Sequence, residues 1–149
     1  MKQKTAAPAP AGAAARARPL PDLLEGLDAI VWEADATSGR YTYVSPGAEA
    51  LLGYPLEAWT ADPAFWGGRA VHPDDRARVA ECRAPAAPEG RCEEMEYRAL
   101  AADGRVVWLR DLMRAAGDGE GGRRLRGVAV DVTRQKEAEA ALRAREAQL

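Results

Sequence analysis

The run Gly127-Val-Ala-Val-Asp-Val132 passes directly into sixteen residues without Gly, Pro or Val. The first part is apolar and valine-rich, as a buried strand requires. The second is filled by Ala, Glu, Arg, Lys, Gln and Leu, which favour helix. Thr133 stands between them as an N-cap whose hydroxyl can accept a bond from a free amide of the first turn. A last strand that runs straight into a departing helix gives the chain a way out of its own core. The expectation is that a conformational or dimerisation signal leaves along that helix, with Asp131, Val132 and Thr133 as the transmitting residues.

Upstream, residues 1–21 are Ala, Pro, Gly and Arg with almost no large apolar side chain, a composition expected to be disordered. Leu20, Leu23, Leu24 and Leu27 fall at helical spacing, which predicts a short amphipathic helix over 22–29. It is too short to stand alone and must pack on something. The domain proper is placed at 30–132 and the outgoing helix at 133–149. Ala29 to Asp35 and Tyr41 to Val44 read as a hairpin. Ser45 as cap and Pro46 at the first helical position open a helix that Gly53 closes. Residues 54–72 read as short helical turns carrying Trp59, Phe65 and Trp66, and a helix follows from His72 to about Arg83. Three strands complete the domain: Arg91 to Leu100, Val106 to Ala115 across an Asp103-Gly104 turn, and Arg124 to Val132. This is an α+β order, with helices on one face of a five-stranded antiparallel sheet.

The second of those strands, Val106 to Ala115, is apolar on both sides. Val107, Leu109 and Met113 alternate with Val106, Trp108 and Leu112. A sheet apolar on both faces needs two covers. The candidates are the helix of Leu23 and Leu27 and a second subunit, so Leu23, Leu27, Trp108 and Leu142 are the expected dimer contacts. Ala138, Leu142, Arg145 and Leu149 space a short coiled-coil seam along the last helix.

Charge and composition exclude several functions. The net charge is −2 and residues 1–21 carry +4, so the remainder carries −6. An acidic domain is a poor match for phosphate backbones, and no nucleic-acid partner is expected. No apolar run approaches the ~20 residues of a membrane span. The N-terminal Ala/Pro stretch is too broken for a signal peptide, which makes the expected location cytoplasmic. In that compartment Cys82 and Cys92 are expected to stay reduced.

Eight segments then stand in a familiar order: Trp32-Glu33, Tyr43-Val-Ser-Pro46, Leu52-Gly-Tyr54, His72-Pro-Asp-Asp-Arg76, Glu96-Tyr-Arg98, Asp103-Gly104, Val107-Trp-Leu109 and Gly127 to Thr133. Over residues 28 to 133 the chain resembles the bacterial PAS family of sensory domains, including its C-terminal PAC-type motif. The resemblance implies a sheet curved around helices with a small-molecule cavity between them. It also implies a dimeric input module whose Asp-Val-Thr junction leads to an effector, often a histidine kinase or a diguanylate cyclase, in cis or in trans. No such effector precedes Leu149.

Candidate pocket residues are Trp32, Tyr43, Trp66 and Tyr97. Haem is not expected, because His72 is the single histidine and sits in a segment that serves the family as a helix start. A structural metal lacks ligands. A covalent flavin adduct is rejected, since neither cysteine has the required surroundings. No cofactor is predicted, while a non-covalent flavin or another small ligand stays open. Gly117 to Gly122 lacks the Lys-Ser/Thr of a phosphate loop and reads as a mobile hairpin loop. Asp74 and Asp75 suit a helix N-terminus better than acid–base work. With no nucleophile set, an enzyme is not expected. The alternative to a ligand sensor is a ligand-free dimerisation or protein-interaction module.

Overall fold

The computed structural model describes residues 28–84, 92–116 and 124–148. Five antiparallel strands form one sheet: β1 (Ala29–Asp35), β2 (Tyr41–Val44), β3 (Glu94–Leu100), β4 (Val106–Ala116) and β5 (Arg124–Asp131). Their order is β2-β1-β5-β4-β3, so the first and last strands lie inside and β2 and β3 form the two edges. The chain between β2 and β3 must therefore cross the whole sheet. It does so as α1 (Gly47–Leu52), α2 (Leu56–Ala61), a π-helical turn (Trp66–Ala70), a 3₁₀ turn (Pro73–Asp75) and α3 (Arg76–Arg83). A crossing from edge to edge covers one face, and that face becomes the core.

Alternation along the strands supplies the sheet side of this core. Ile30, Trp32 and Ala34 from β1, Met95, Tyr97 and Ala99 from β3, and Val107, Leu109 and Met113 from β4 are all buried. Leu52, Trp59, Phe65, Trp66 and Val79 close on them from the crossover. Fully buried residues such as Ile30, Leu52 and Leu109 each contribute roughly 1.5–3 kcal/mol. Gly53 ends α1 at φ 88°, and its N–H returns to the Glu49 carbonyl. A side chain would resist that conformation.

Several expectations change in detail. Ser45 does not cap α1: its hydroxyl accepts the Val31 N–H at 2.9 Å and so ties β1 to the start of the crossover. Asp75 does more than favour a helix dipole. It is buried, and its carboxylate takes Nε, Nη2 and the backbone N–H of Arg98 on β3. The cysteines are not reduced. Cys82 and Cys92 form a disulfide, their Cα atoms 5.3 Å apart, inside the span such a bond requires. The expectation of free thiols rested on compartment, which carries no information about which residues meet.

The expected helix at 22–29 lies outside the described residues except for Asp28 and Ala29, and Ala29 already belongs to β1. Leu23, Leu27 and the Gly117–Gly122 loop lie outside them as well. Among the described residues no helix is long and apolar enough to cross a membrane.

Candidate functional site

Asp111 is the one acidic side chain that the β4 alternation sends inward, and it is fully buried. A buried carboxylate is costly unless paired and hydrogen-bonded. Three elements meet that requirement. Trp32 of β1 donates its Nε1–H to Oδ1 at 2.9 Å. Tyr97 of β3 donates its hydroxyl to Oδ2 at 2.6 Å. Arg83, the last residue of α3, reaches Oδ2 through Nη2 at 2.6 Å. The same guanidinium donates to the Tyr41 hydroxyl at 2.6 Å and lies 4.4 Å from the Trp32 ring centre. Trp32 can lie there because β5 places Gly127 opposite it; a Cβ on Gly127 would overlap the indole.

Burial pushes the Tyr41 hydroxyl up to about 12, although the Arg83 charge opposes the rise. Tyr97 is pushed well above its ordinary value, first by burial and then by Asp111. Both phenols therefore stay neutral at physiological pH. Burial works against the Arg83 charge, but hydrogen bonds to the Tyr41 and Tyr97 hydroxyls and the charge of Asp111 outweigh it and hold the guanidinium protonated.

Aromatic side chains close over this cluster. Trp59 stacks on Trp66 with ring centres 4.7 Å apart, and Tyr41 meets Trp59 edge-on at 5.6 Å. The space left among Trp32, Tyr41, Trp59, Trp66, Tyr97 and Asp111 is about 10 Å³. Ligand pockets usually hold roughly 300–1,000 Å³. A ring-sized ligand enters only if Trp59 and Trp66 give way. The indole N–H of each, with Nε of Arg83, is buried and without a hydrogen-bond partner among the described residues. All three are donors, so the group that suits them is an acceptor. No group of three His, Cys, Asp or Glu residues that could hold a metal ion occurs among the described residues.

Of the expected pocket residues, Trp32, Trp66 and Tyr97 come together here. Tyr43 does not. It pairs with Glu33 on the opposite face of the sheet and is 48% exposed, because β2 bulges beside Glu33 and Ala34. The sequence reading missed Tyr41, Arg83 and Asp111. For Asp111 the signal was present, since the alternation that sends Val107, Leu109 and Met113 inward sends residue 111 with them. His72 caps the 3₁₀ turn through Nδ1, which accepts the Asp74 N–H at 3.1 Å.

A second group of contacts lies at the end of β5. Asp131 Oδ1 accepts both the N–H and the hydroxyl of Thr133, at 2.9 and 2.6 Å. The Thr133 oxygen in turn accepts the Trp108 N–H of β4 at 2.9 Å, and Val132 N–H bonds to the Trp108 carbonyl. Thr133 thus clamps α4 (Thr133–Gln148) to the sheet and leaves capping of its N–H to Asp131. One turn on, Lys136 pairs with Glu96 of β3 at 2.7 Å and sits 5.0 Å from the Trp108 ring. Trp108, expected at a dimer contact, is therefore covered in part by this chain's own Lys136 and Arg98. Leu142 is 55% exposed, further along α4.

The profile of the PAS fold family matches residues 41–130. No curated protein matches the chain. Among solved structures, a sensory box histidine kinase/response regulator from Burkholderia thailandensis superposes with a TM-score of 0.66 at 27% identity, over 84% of this chain and 92% of that one. The N-terminal domain of a diguanylate cyclase with PAS/PAC sensor from Marinobacter aquaeolei gives 0.57 at 31% identity, over 72% and 98%. The PAS domain of an HTR-like protein from Haloarcula marismortui gives 0.62 at 17%, over 85% and 99%, and bears on the fold alone.

Proposed function

The chain belongs to the PAS fold family, and from that premise we propose that it is a non-catalytic sensory module that converts an event at the Arg83–Asp111 cluster into a change at its outgoing helix. One observation carries this reading. Strand β4 holds Asp111 in the cluster and, three residues away, Trp108 in the clamp on Thr133. Three residues of strand span about 10 Å. Movement of β4 at one end is felt at the other, because both ends are held by short hydrogen bonds to different elements.

A ligand can drive such a change only by binding one arrangement better than the other. The ligand class that fits is a small acceptor-bearing molecule that parts Trp59 from Trp66 and takes the unpartnered N–H groups. A non-covalent flavin would be a large occupant of this space, and His72 does not suit haem ligation, since its Nδ1 is engaged in its own turn. Output passes through Asp131, Val132 and Thr133 into α4, which pairs with a second copy in a homodimer. The effector is of the histidine kinase or diguanylate cyclase type, in cis or in trans, as the similar structures support.

Hydrogen exchange tests the coupling. Replacing Asp111→Asn is expected to speed exchange of the Val132–Lys136 amides about tenfold while the rest of α4 is unchanged. Unaltered exchange at those amides defeats the reading. The small enclosed volume favours one rival, a ligand-free assembly module. Native mass spectrometry with an absorbance spectrum separates the two: bound mass or a flavin band supports the sensor, and a clean dimer that takes up nothing supports the assembly module.

A further inference from the structure

Helix α3 is held to the sheet at both ends, but by different chemistry. Its start is fastened by Asp75 to Arg98 and by Arg76 Nε to the Val71 carbonyl at 2.9 Å. Its end is fastened by two neighbours in sequence. Arg83 enters the buried cluster, and Cys82 is bonded to Cys92, two residues before β3. The disulfide is half-buried and lines a groove of about 290 Å³ shared with Arg83, Glu93, Met113, Arg114 and Leu125. A reactant can therefore reach the sulfurs without passing through the core.

We propose that Cys82–Cys92 is a thiol-exchange site at which a dithiol reductant releases Arg83 from Asp111. The thiolate of the dithiol attacks one sulfur of the bond and the other leaves as a thiolate. In the mixed disulfide so formed, the reagent's second thiolate attacks the reagent's own bonded sulfur, and the cysteine sulfur leaves as a thiolate that takes up a proton. Two electrons and two protons pass to the cysteine pair, and the reagent becomes its own disulfide. With the bond open, the last turn of α3 is held by the contacts of Arg83 to Asp111, Tyr41 and the Trp32 ring and by the packing of Cys82 on the core, and no covalent link to Cys92 opposes its opening. The groove then joins the space behind Arg83, and Trp32 loses the guanidinium from its ring face. That this movement also reaches α4 rests on the role proposed for β4 above; the redox step does not.

The full chain is treated with dithiothreitol, and thiols are counted by iodoacetamide mass shift before and after, alongside tryptophan fluorescence, far-ultraviolet circular dichroism and hydrogen exchange. Both cysteines are expected to be blocked before reduction and both alkylated after it. Exchange over Val79–Arg83 should rise about tenfold, the fluorescence should shift reversibly, and the far-ultraviolet signal should hold. The Cys82→Ser/Cys92→Ser double variant should show the reduced signature from the outset and ignore the reagent. Three results overturn the proposal: alkylation without prior reduction, reduction only in denaturant, or reduction that abolishes the far-ultraviolet signal, which would make the bond a structural staple. If α3 responds and Val132–Lys136 does not, the exchange site stands and the β4 coupling fails.

Discussion

At the scale of single residues, Asp111 and Asp75 are buried acids with different consequences. Asp111 shares its charge with Arg83 and its lone pairs with Trp32 and Tyr97. Such a pair contributes little net stability when intact, but removing one partner strands the other charge. Asp111→Ala is expected to lower unfolding stability by about 3–5 kcal/mol, read from urea titration. A change below about 1 kcal/mol would mean that Arg83 finds water easily and the cluster is not sealed. Asp75 is held at about 2, below its ordinary 3.8, chiefly by the side-chain bond from Arg98 against an opposing cost of burial. A lowered folded pKa adds stability that is complete above the ordinary value and is lost as pH falls through the lower one. The loss therefore lies between about pH 4 and pH 2 and amounts to roughly 2 kcal/mol. Asp75→Asn should flatten the acid limb of a pH–stability profile in that window; an unchanged limb would assign it to other carboxylates. Asp111 was legible by strand parity. Arg83 was not, because an arginine in the last turn of a helix already has an adequate reason to be there, facing the negative end of the dipole.

At the scale of elements, the strands were legible because alternation and the Asp103-Gly104 turn act locally, and Gly53 was legible because its backbone conformation excludes other residues. The caps were less so. Ser45 and Thr133 both stand where a helix start wants a hydroxyl, and both turn that hydroxyl to a strand instead. Local pattern cannot tell which of two nearby N–H groups the tertiary fold will offer. For Thr133 the distinction has a consequence. If the hydroxyl only capped α4, Thr133→Ser would be nearly silent and Thr133→Ala would fray the helix start alone. Since it accepts from Trp108, Thr133→Ala should cost about 1 kcal/mol and also raise exchange of the Trp108 amide on β4, while Thr133→Ser retains both. Protection of Trp108 in the alanine variant equal to wild type would show that the clamp carries no weight.

At the scale of the whole molecule, the order β2-β1-β5-β4-β3 commits one face to the crossover and leaves the other to be covered. That face was legible as doubly apolar, but what covers it was not, because Lys and Arg stems can shelter an indole as well as a partner can. Lys136 and Arg98 do so for Trp108. Beyond their reach, Val106 and Leu112 are 43% and 44% exposed, and Leu112, Tyr43 and Val128 line an open groove of about 660 Å³. A stable interface buries roughly 1,200–2,000 Å² in total, more than a few half-exposed apolar side chains on β2, β4 and β5 supply. A homodimer built on this face must therefore add the exposed side of α4 around Leu142. This makes the dimer sensitive at two separated points. Leu112→Glu and Leu142→Glu should each shift sedimentation toward monomer, with the unfolding free energy of the monomer changed by no more than about 0.5 kcal/mol because both side chains are exposed in it. If Leu112→Glu alone dissociates the dimer, the sheet face suffices and α4 is free to rotate against its partner. If neither variant changes sedimentation, or the wild-type chain is monomeric at high concentration, the outer face is not a self-interface. The outgoing helix would then have to act on a different chain.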